Sequence, residues 1–407
     1  MIIFLCACLI EIVRVAVADR FAENSSVVSF SKARRWDPSN SEYPAQLARL
    51  LATNSLREDP SEVVWLFQEA ARLGPRRADS WASLGSALES SGRFSEAVNA
   101  YTRALELFPN SPQINWEFAN VLVRTGEISK AFAPMRQTML GDPSLRTGAF
   151  DLAWRAGIPS EQILTIVPAR QEILSSYLDY LVHARRFDAA ALVWNHLVAS
   201  PELFDLDAAF RYFDALLNDH HVDKLNAIWA DLARHDPARL HRLDENANLI
   251  VNGAFEEPIL NGGFDWRTPN VDGTEIGIDS SYIHNGKCSL FVRFDGTRNL
   301  DFGDVVQYVS VKPENSYRFL AFVRVEGITS DSGPRIAIYD AFDRKALWLQ
   351  AENLVGSTDW REQKLEFHTG PRTNLIVVQV TRPPSQKFDN RIAGTMWLDD
   401  VSLTLAH

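Results

Sequence analysis

The run ADSWASLGSALESSGRFSEAVNAYTRALELFP at residues 78–109 places small and apolar side chains where a two-helix hairpin needs them. Trp81, Leu84, Gly85 and Leu88 share one face of a first helix. Ala97, Tyr101 and Ala104 line a second, and Pro109 ends it. Gly85 and Ala97 stand where the two helices must approach closely, and the large residues fill the space beside them. One hairpin cannot bury its own apolar face, so the reading requires neighbours of the same kind.

The neighbours are present. A 34-residue step forward puts Phe118, Ala119, Leu122, Ala131, Met135, Thr138 and Pro143 at equivalent positions. Stepping back, Leu47, Ala48 and Leu51 make a first helix, and Val63, Phe67, Ala70 and Pro75 a second. Further copies run from Leu174 to Leu197 and from Ala209 to Pro237. Between them Gly157-Ile158-Pro159 interrupts a unit begun by Ala149 and Leu152, which predicts an irregular stretch near 157–170. The stretch at 78–109 resembles a tetratricopeptide repeat, with Leu88 where that family usually carries Tyr. The resemblance implies a helical solenoid over 24–246 whose concave face holds a protein partner. Ser83, Ser86, Asn115, Asn120 and Arg155 are the candidate residues of that face.

Composition narrows the function classes. A net charge of -11 without a Lys/Arg cluster gives nucleic acid no electrostatic footprint. Three cysteines, Cys6, Cys8 and Cys288, supply no disulfide framework. The opening MIIFLCACLIEIVRVAVA leaves three readings open. It is a secretion signal ending at Ala16-Val17-Ala18, though without a basic start. It is a membrane anchor, with Glu11 and Arg14 as costly insertions. Or it is a repeat helix that packs Ile10, Val13 and Val17 against 27–36, in a chain that stays cytoplasmic. The first two place the protein in the periplasm, outside the cell or at its membrane, with residues 1–23 as signal or anchor. No phosphate-binding glycine loop, HExxH, GxSxG or CxxC occurs, so catalysis is not expected.

After residue 246 the period changes to short alternating runs bounded by Gly, Asn, Asp and Pro. Strands are predicted at 249–251, 274–278, 289–294, 305–311, 317–325, 335–339, 360–368, 375–381 and 395–404. So many short strands predict an antiparallel two-sheet sandwich over 247–407. NLIVNGAFEE at 248–257, HNGKCSLFV at 284–292, YRFLAFVRV at 317–325 and MWLDDVSL at 396–403 follow one another. Together they resemble the carbohydrate-binding-module superfamily of families 4, 9 and 22, which implies a jelly roll. It also implies a structural calcium held by Glu256 with Asp400 or Asp399.

Glycan binding by such modules rests on aromatic rings that stack on sugars and on polar groups that bond the hydroxyls. The stacking candidates are Trp266, Tyr282, Tyr339, Phe342 and Trp348, and the polar ones Asn299, Asp301 and Gln350. Trp360 and Trp397 read as structural. The whole predicts a non-enzymatic adaptor: repeats that bind a protein, and a sandwich that binds a cell-envelope or extracellular glycan, in a setting such as polysaccharide assembly or export. The alternative is a protein-binding scaffold whose sandwich takes no sugar.

Overall fold

The structure, a computed structural model, describes residues 2–53, 60–200, 205–237, 240, 247–388 and 390–406. It divides into two compact units, Met1–Val193 and Trp194–His407.

The first unit is helical. Its helices are α1 (Ile2–Ala22), α2 (Val27–Trp36), α3 (Glu42–Thr53), α4 (Pro60–Leu73), α5 (Ala78–Ser90), α6 (Phe94–Leu107), α7 (Pro112–Arg124), α8 (Phe132–Gly141), α9 (Arg146–Arg155), α10 (Ser160–Ile166) and α11 (Gln171–His183). α12 (Phe187–Ala199) carries the boundary between the units. The hairpin α5–α6 has the expected close approach. A Cβ on Gly85 would lie 2.9 Å from the ring of Tyr101, which is fully buried with Ala97 and Ala104. In the next hairpin Ala119, Leu122, Ala131, Met135 and Thr138 are all fully buried. The interruption at Gly157-Ile158-Pro159 yields α10, only 7 residues long, where α6 has 14.

α1 packs differently from the repeat-helix reading. Its contacts to the core come from Ala18, fully buried, with Phe21 and Ala22 beside it. Ile10 and Val13 remain 61% and 52% exposed. Arg14 Nε donates to the carbonyl of Trp36, at the end of α2, at 3.0 Å. Among the described residues no helix is long and apolar enough to cross a membrane.

The second unit joins α13 (Leu206–Asn218) and α14 (Val222–His235) to nine strands described in two antiparallel sheets. The strands are β1 (Thr274–Asp279), β2 (Ser289–Asp295), β3 (Phe302–Ser310), β4 (Ser316–Ile328), β5 (Arg335–Asp340), β6 (Trp348–Gln350), β7 (Gly356–His368), β8 (Leu375–Arg382) and β9 (Ala393–Leu405). One sheet runs β1-β2-β9-β4-β7 and the other β3-β8-β5-β6. Alternate residues such as Phe319, Ala321, Val323, Ile336, Ile338 and Val378 close the core between them. The predicted strand at 249–251 is not one. That segment instead ties the two chain ends together: Leu249 N donates to Leu403 O at 2.9 Å, and Asn248 Oδ1 accepts Leu403 N at 2.9 Å. β6 is an edge strand too short to show alternation in the sequence.

The helical hairpin α13–α14 is packed onto the sandwich through the turn at Gly262-Gly263-Phe264. Phe264 meets Phe213 edge-on at 4.9 Å between ring centroids and Trp229 at 5.8 Å. A Cβ on Gly262 or Gly263 would lie 2.3 Å from Phe210 or Trp229 respectively, so glycine is what lets the turn seat. Arg267 extends the joint with an ion pair to Asp214 at 2.7 Å. The change of period at 246 marks the start of the strand-bearing segment, whereas compact packing groups α13 and α14 with the strands.

Candidate functional site

Two surfaces carry the candidate residues, one in each unit. In the first unit a groove of about 1020 Å3 runs past α3, α4, α5 and α7. Its lining is small and weakly polar along α5, with Ala82, Ser83, Ser86 and Ser90, and aromatic at Phe67 and Phe108. Phe108 is 54% exposed. Charge sits at its margins. Arg77 bridges Glu42 and Asp79, both at 2.8 Å, and its hydrogen bond holds the Asp79 carboxyl below its ordinary range. Burial pushes the Glu117 carboxyl up, against a hydrogen bond from Gln113 Nε2 at 2.8 Å.

Of the candidate concave residues, Ser83 and Ser86 line this groove. Asn115 does not. It is buried, and its Nδ2 donates to the carbonyls of Pro109 and Ser111, so it fastens the start of α7. Asn120 Nδ2 donates to Trp116 O within its own helix, and Arg155 pairs with Asp151 at 2.8 Å outside the groove. The helical period alone cannot separate a groove-lining amide from one folded back on the backbone.

In the second unit the outward side of β3-β8-β5-β6 forms the other surface. Cross-strand partners place Trp348 beside Tyr339, Tyr339 beside Val377, and Val377 beside Tyr308. The adjoining row is Gln350, Ala337, Gln379 and Val306. Tyr339 and Trp348 stack at 5.2 Å and 26°. Trp348 is 43% exposed and Gln350 is exposed beside it at the sheet edge, whereas Tyr339, Val377, Ala337 and Gln379 further in are buried, and Gln379 Nε2 donates to Gly303 O at 2.6 Å. Arg344, from the turn between β5 and β6, holds its guanidinium 4.3 Å from the Tyr339 ring centroid and 5.2 Å from that of Trp348. The sequence named the aromatics and Gln350 but missed Arg344, because only the folded turn between β5 and β6 lays it over the rings.

The remaining stacking candidates lie elsewhere. Trp266 is fully buried in the sandwich core against Phe255, 5.4 Å between centroids, and presents no face to a sugar. Tyr282, in the loop between β1 and β2, packs on Trp397 of the opposite sheet at 4.7 Å under the Arg324 guanidinium. Phe342 turns its ring to His220 at 4.1 Å. Asn299 is spent internally: its Oδ1 accepts from Arg382 and from Ser385 N, and its Nδ2 donates to Ser385 O. Asp301 is exposed just before β3, apart from the aromatic row.

Glu256, Asp399 and Asp400 do converge, on the loop 284–288. Glu256 Oε1 accepts Lys287 N at 2.6 Å and Cys288 N at 3.2 Å. Asp399 is fully buried, which raises its carboxyl's pKa, and its Oδ2 accepts His284 N at 2.9 Å and Asn285 N at 3.1 Å. Asp400 Oδ2 meets His284 Nδ1 at 2.6 Å. These oxygens face N–H donors, and among the described residues no three His, Cys, Asp or Glu side chains gather as a metal-ligand group.

Comparison with known proteins agrees with the helical geometry. The tetratricopeptide repeat family model matches residues 78–111. No curated protein matches the chain in sequence. Among solved structures, the helical part is similar to YrrB, a TPR protein with an unusual peptide-binding site, at 19% identity and a TM-score of 0.34 over 42% of this chain and 90% of that one. Another part is similar to a family 16 carbohydrate-binding module at 21% identity and a TM-score of 0.26, over 39% of this chain and 99% of the module. A family 4 module is similar at 15% identity and 0.28, over the same shares. Likenesses so distant carry no function from one protein to another. The chain carries a tetratricopeptide repeat at residues 78–111 within a helical region, followed by an antiparallel two-sheet β-sandwich.

Proposed function

We propose that the protein is a non-enzymatic adaptor. Its helical groove takes an extended segment of a protein partner, and the outward face of β3-β8-β5-β6 takes a glycan. The observation that carries the glycan reading is the half-exposed Trp348 stacked on Tyr339 beside Gln350. Such a platform offers a flat apolar ring to a sugar face and amides to its hydroxyls. The proposed setting is the cell envelope or exterior, in the assembly or export of polysaccharide. That placement rests on the opening segment, and N-terminal sequencing of the chain from its host checks it.

Trp348→Ala in the full chain is expected to lower affinity for a bound glycan at least tenfold while leaving the melting temperature within about 2 °C, because the residue is on an edge strand and half-exposed. Glycan-array screening followed by calorimetry reads this. Unchanged affinity in the variant would move the sugar off this face, and no glycan bound by the full chain would leave the protein-binding scaffold as the function.

Calcium at Glu256, Asp399 and Asp400 is proposed as a structural ion on the resemblance of their motifs. It would require the amides of 284–288 to turn from the carboxylates they now meet. The expected result is a melting temperature several degrees higher with millimolar calcium than with a chelator. Identical curves would assign the loop's anchoring to those amide hydrogen bonds alone.

A further inference from the structure

Two arginines stand on the proposed sugar face without an ion-pair partner. Arg344 lies over the Tyr339 and Trp348 rings, and Arg335 projects from the same side of β5 as Ala337 and Tyr339. Neither guanidinium has a carboxylate partner among the described residues. The Arg335 head donates to Asn353 Oδ1 at 3.1 Å and Ser332 Oγ at 3.2 Å, both neutral, and its Nε is buried with no partner at all. The acids nearest in sequence are engaged by backbone: Asp340 Oδ1 accepts Phe342 N and Asp343 N, both at 2.8 Å, and Asp343 Oδ1 accepts Lys345 N at 3.0 Å.

A chain with a net charge of -11 thus leaves two arginines without counter-ions on the face that carries the exposed Trp348. A planar guanidinium matches a carboxylate in two parallel hydrogen bonds, a geometry that a sugar hydroxyl cannot supply. Resting on the rings, Arg344 has a weak and displaceable partner, which a sugar ring stacking on Trp348 would replace while an acidic substituent paired the freed guanidinium.

Building on the glycan reading above, we infer that the ligand is an acidic polysaccharide whose pyranose rings carry carboxylates: the ring stacks on Trp348, Gln350 meets its hydroxyls, and Arg344, with Arg335 further along β5, takes the uronate charge. Because the protein's net charge repels polyanions, binding of one would report a local site rather than bulk attraction.

The test titrates the full chain with polygalacturonate and alginate, each beside its methyl ester, which keeps the rings and removes the charge. At least tenfold tighter binding of the acids is expected. Arg344→Gln should erase that preference without changing affinity for the esters, Arg335→Gln should reduce it, and Trp348→Ala should weaken both forms. Equal affinity for acid and ester, or an Arg344→Gln variant that keeps the preference, would overturn the inference and leave a neutral-glycan site. Failure of the chain to bind these polymers or any glycan on an array would remove the glycan reading itself, and the inference with it.

Discussion

Arg382→Met is expected to lower the stability of the second unit by about 3–5 kcal/mol, because several buried neutral acceptors lose their donor at about 1–3 kcal/mol each. Arg382 ends β8 with no exposed surface. Its Nε donates to Ser332 O at 2.9 Å, one Nη to Asn299 Oδ1 at 2.8 Å and to Leu300 O, and the other to Ser330 Oγ at 3.0 Å and Asn390 O at 2.9 Å. Three stretches distant in sequence are thereby gathered on one head group. Methionine fills most of the volume, so the loss is of hydrogen bonds rather than of packing, and every acceptor left dry costs about 1–3 kcal/mol. At about 2–4 °C per kcal/mol for a domain of this size, calorimetry of the full chain should show one transition falling by about 6–20 °C. A shift below about 2 °C would mean that water satisfies those acceptors and that the network is incidental.

Gly263→Val is expected to cost a similar amount for a different reason. Gly263 has φ +59°, where a β-branched residue is strained by roughly 1–2 kcal/mol. A Cβ there would also drive into the Trp229 ring, and forcing such a contact adds about 1–3 kcal/mol. Gly356→Ala supplies the control, since Gly356 has φ +68° and a methyl added there would meet nothing within 4 Å. The control should show the backbone cost alone, about 1 kcal/mol. Equal destabilisation by both substitutions would show that α13–α14 does not depend on this seat. If the difference appears, a fragment starting at Asn248 is a poor vehicle for binding tests, because it would strip Phe264 of Phe213 and Trp229.

Much of the fold was legible because its determinants are local. Gly85 facing Tyr101, and the alternation of Phe319, Ala321 and Val323, follow from helical and strand periods that any window of the chain displays. What escaped was decided by long-range pairing. Trp266 lies in a loop with no period, so its burial depends on Phe255 and the sheets that enclose it. Asn299 looks like a surface amide until β8 brings Arg382 to it. Asn115 sits on a helix face that the wheel marks as open, yet it bonds back to Pro109 and Ser111. The glycine pair at 262–263 reads as an ordinary loop, and only the approach of Phe210 and Trp229 explains why neither residue has a side chain.

The joining of Asn248 and Leu249 to Leu403 also has a consequence for the chain as it is made. Helical hairpins such as α5–α6 close over short sequence distances and can form as soon as their own residues leave the ribosome. The sandwich cannot: its opening segment finds its partner 155 residues later, in the strand that ends the fold. Phe213 and Trp229, made in the middle of the chain, therefore keep their faces uncovered until the sandwich that seats Phe264 on them has closed. The nascent chain is most exposed to aggregation over that interval.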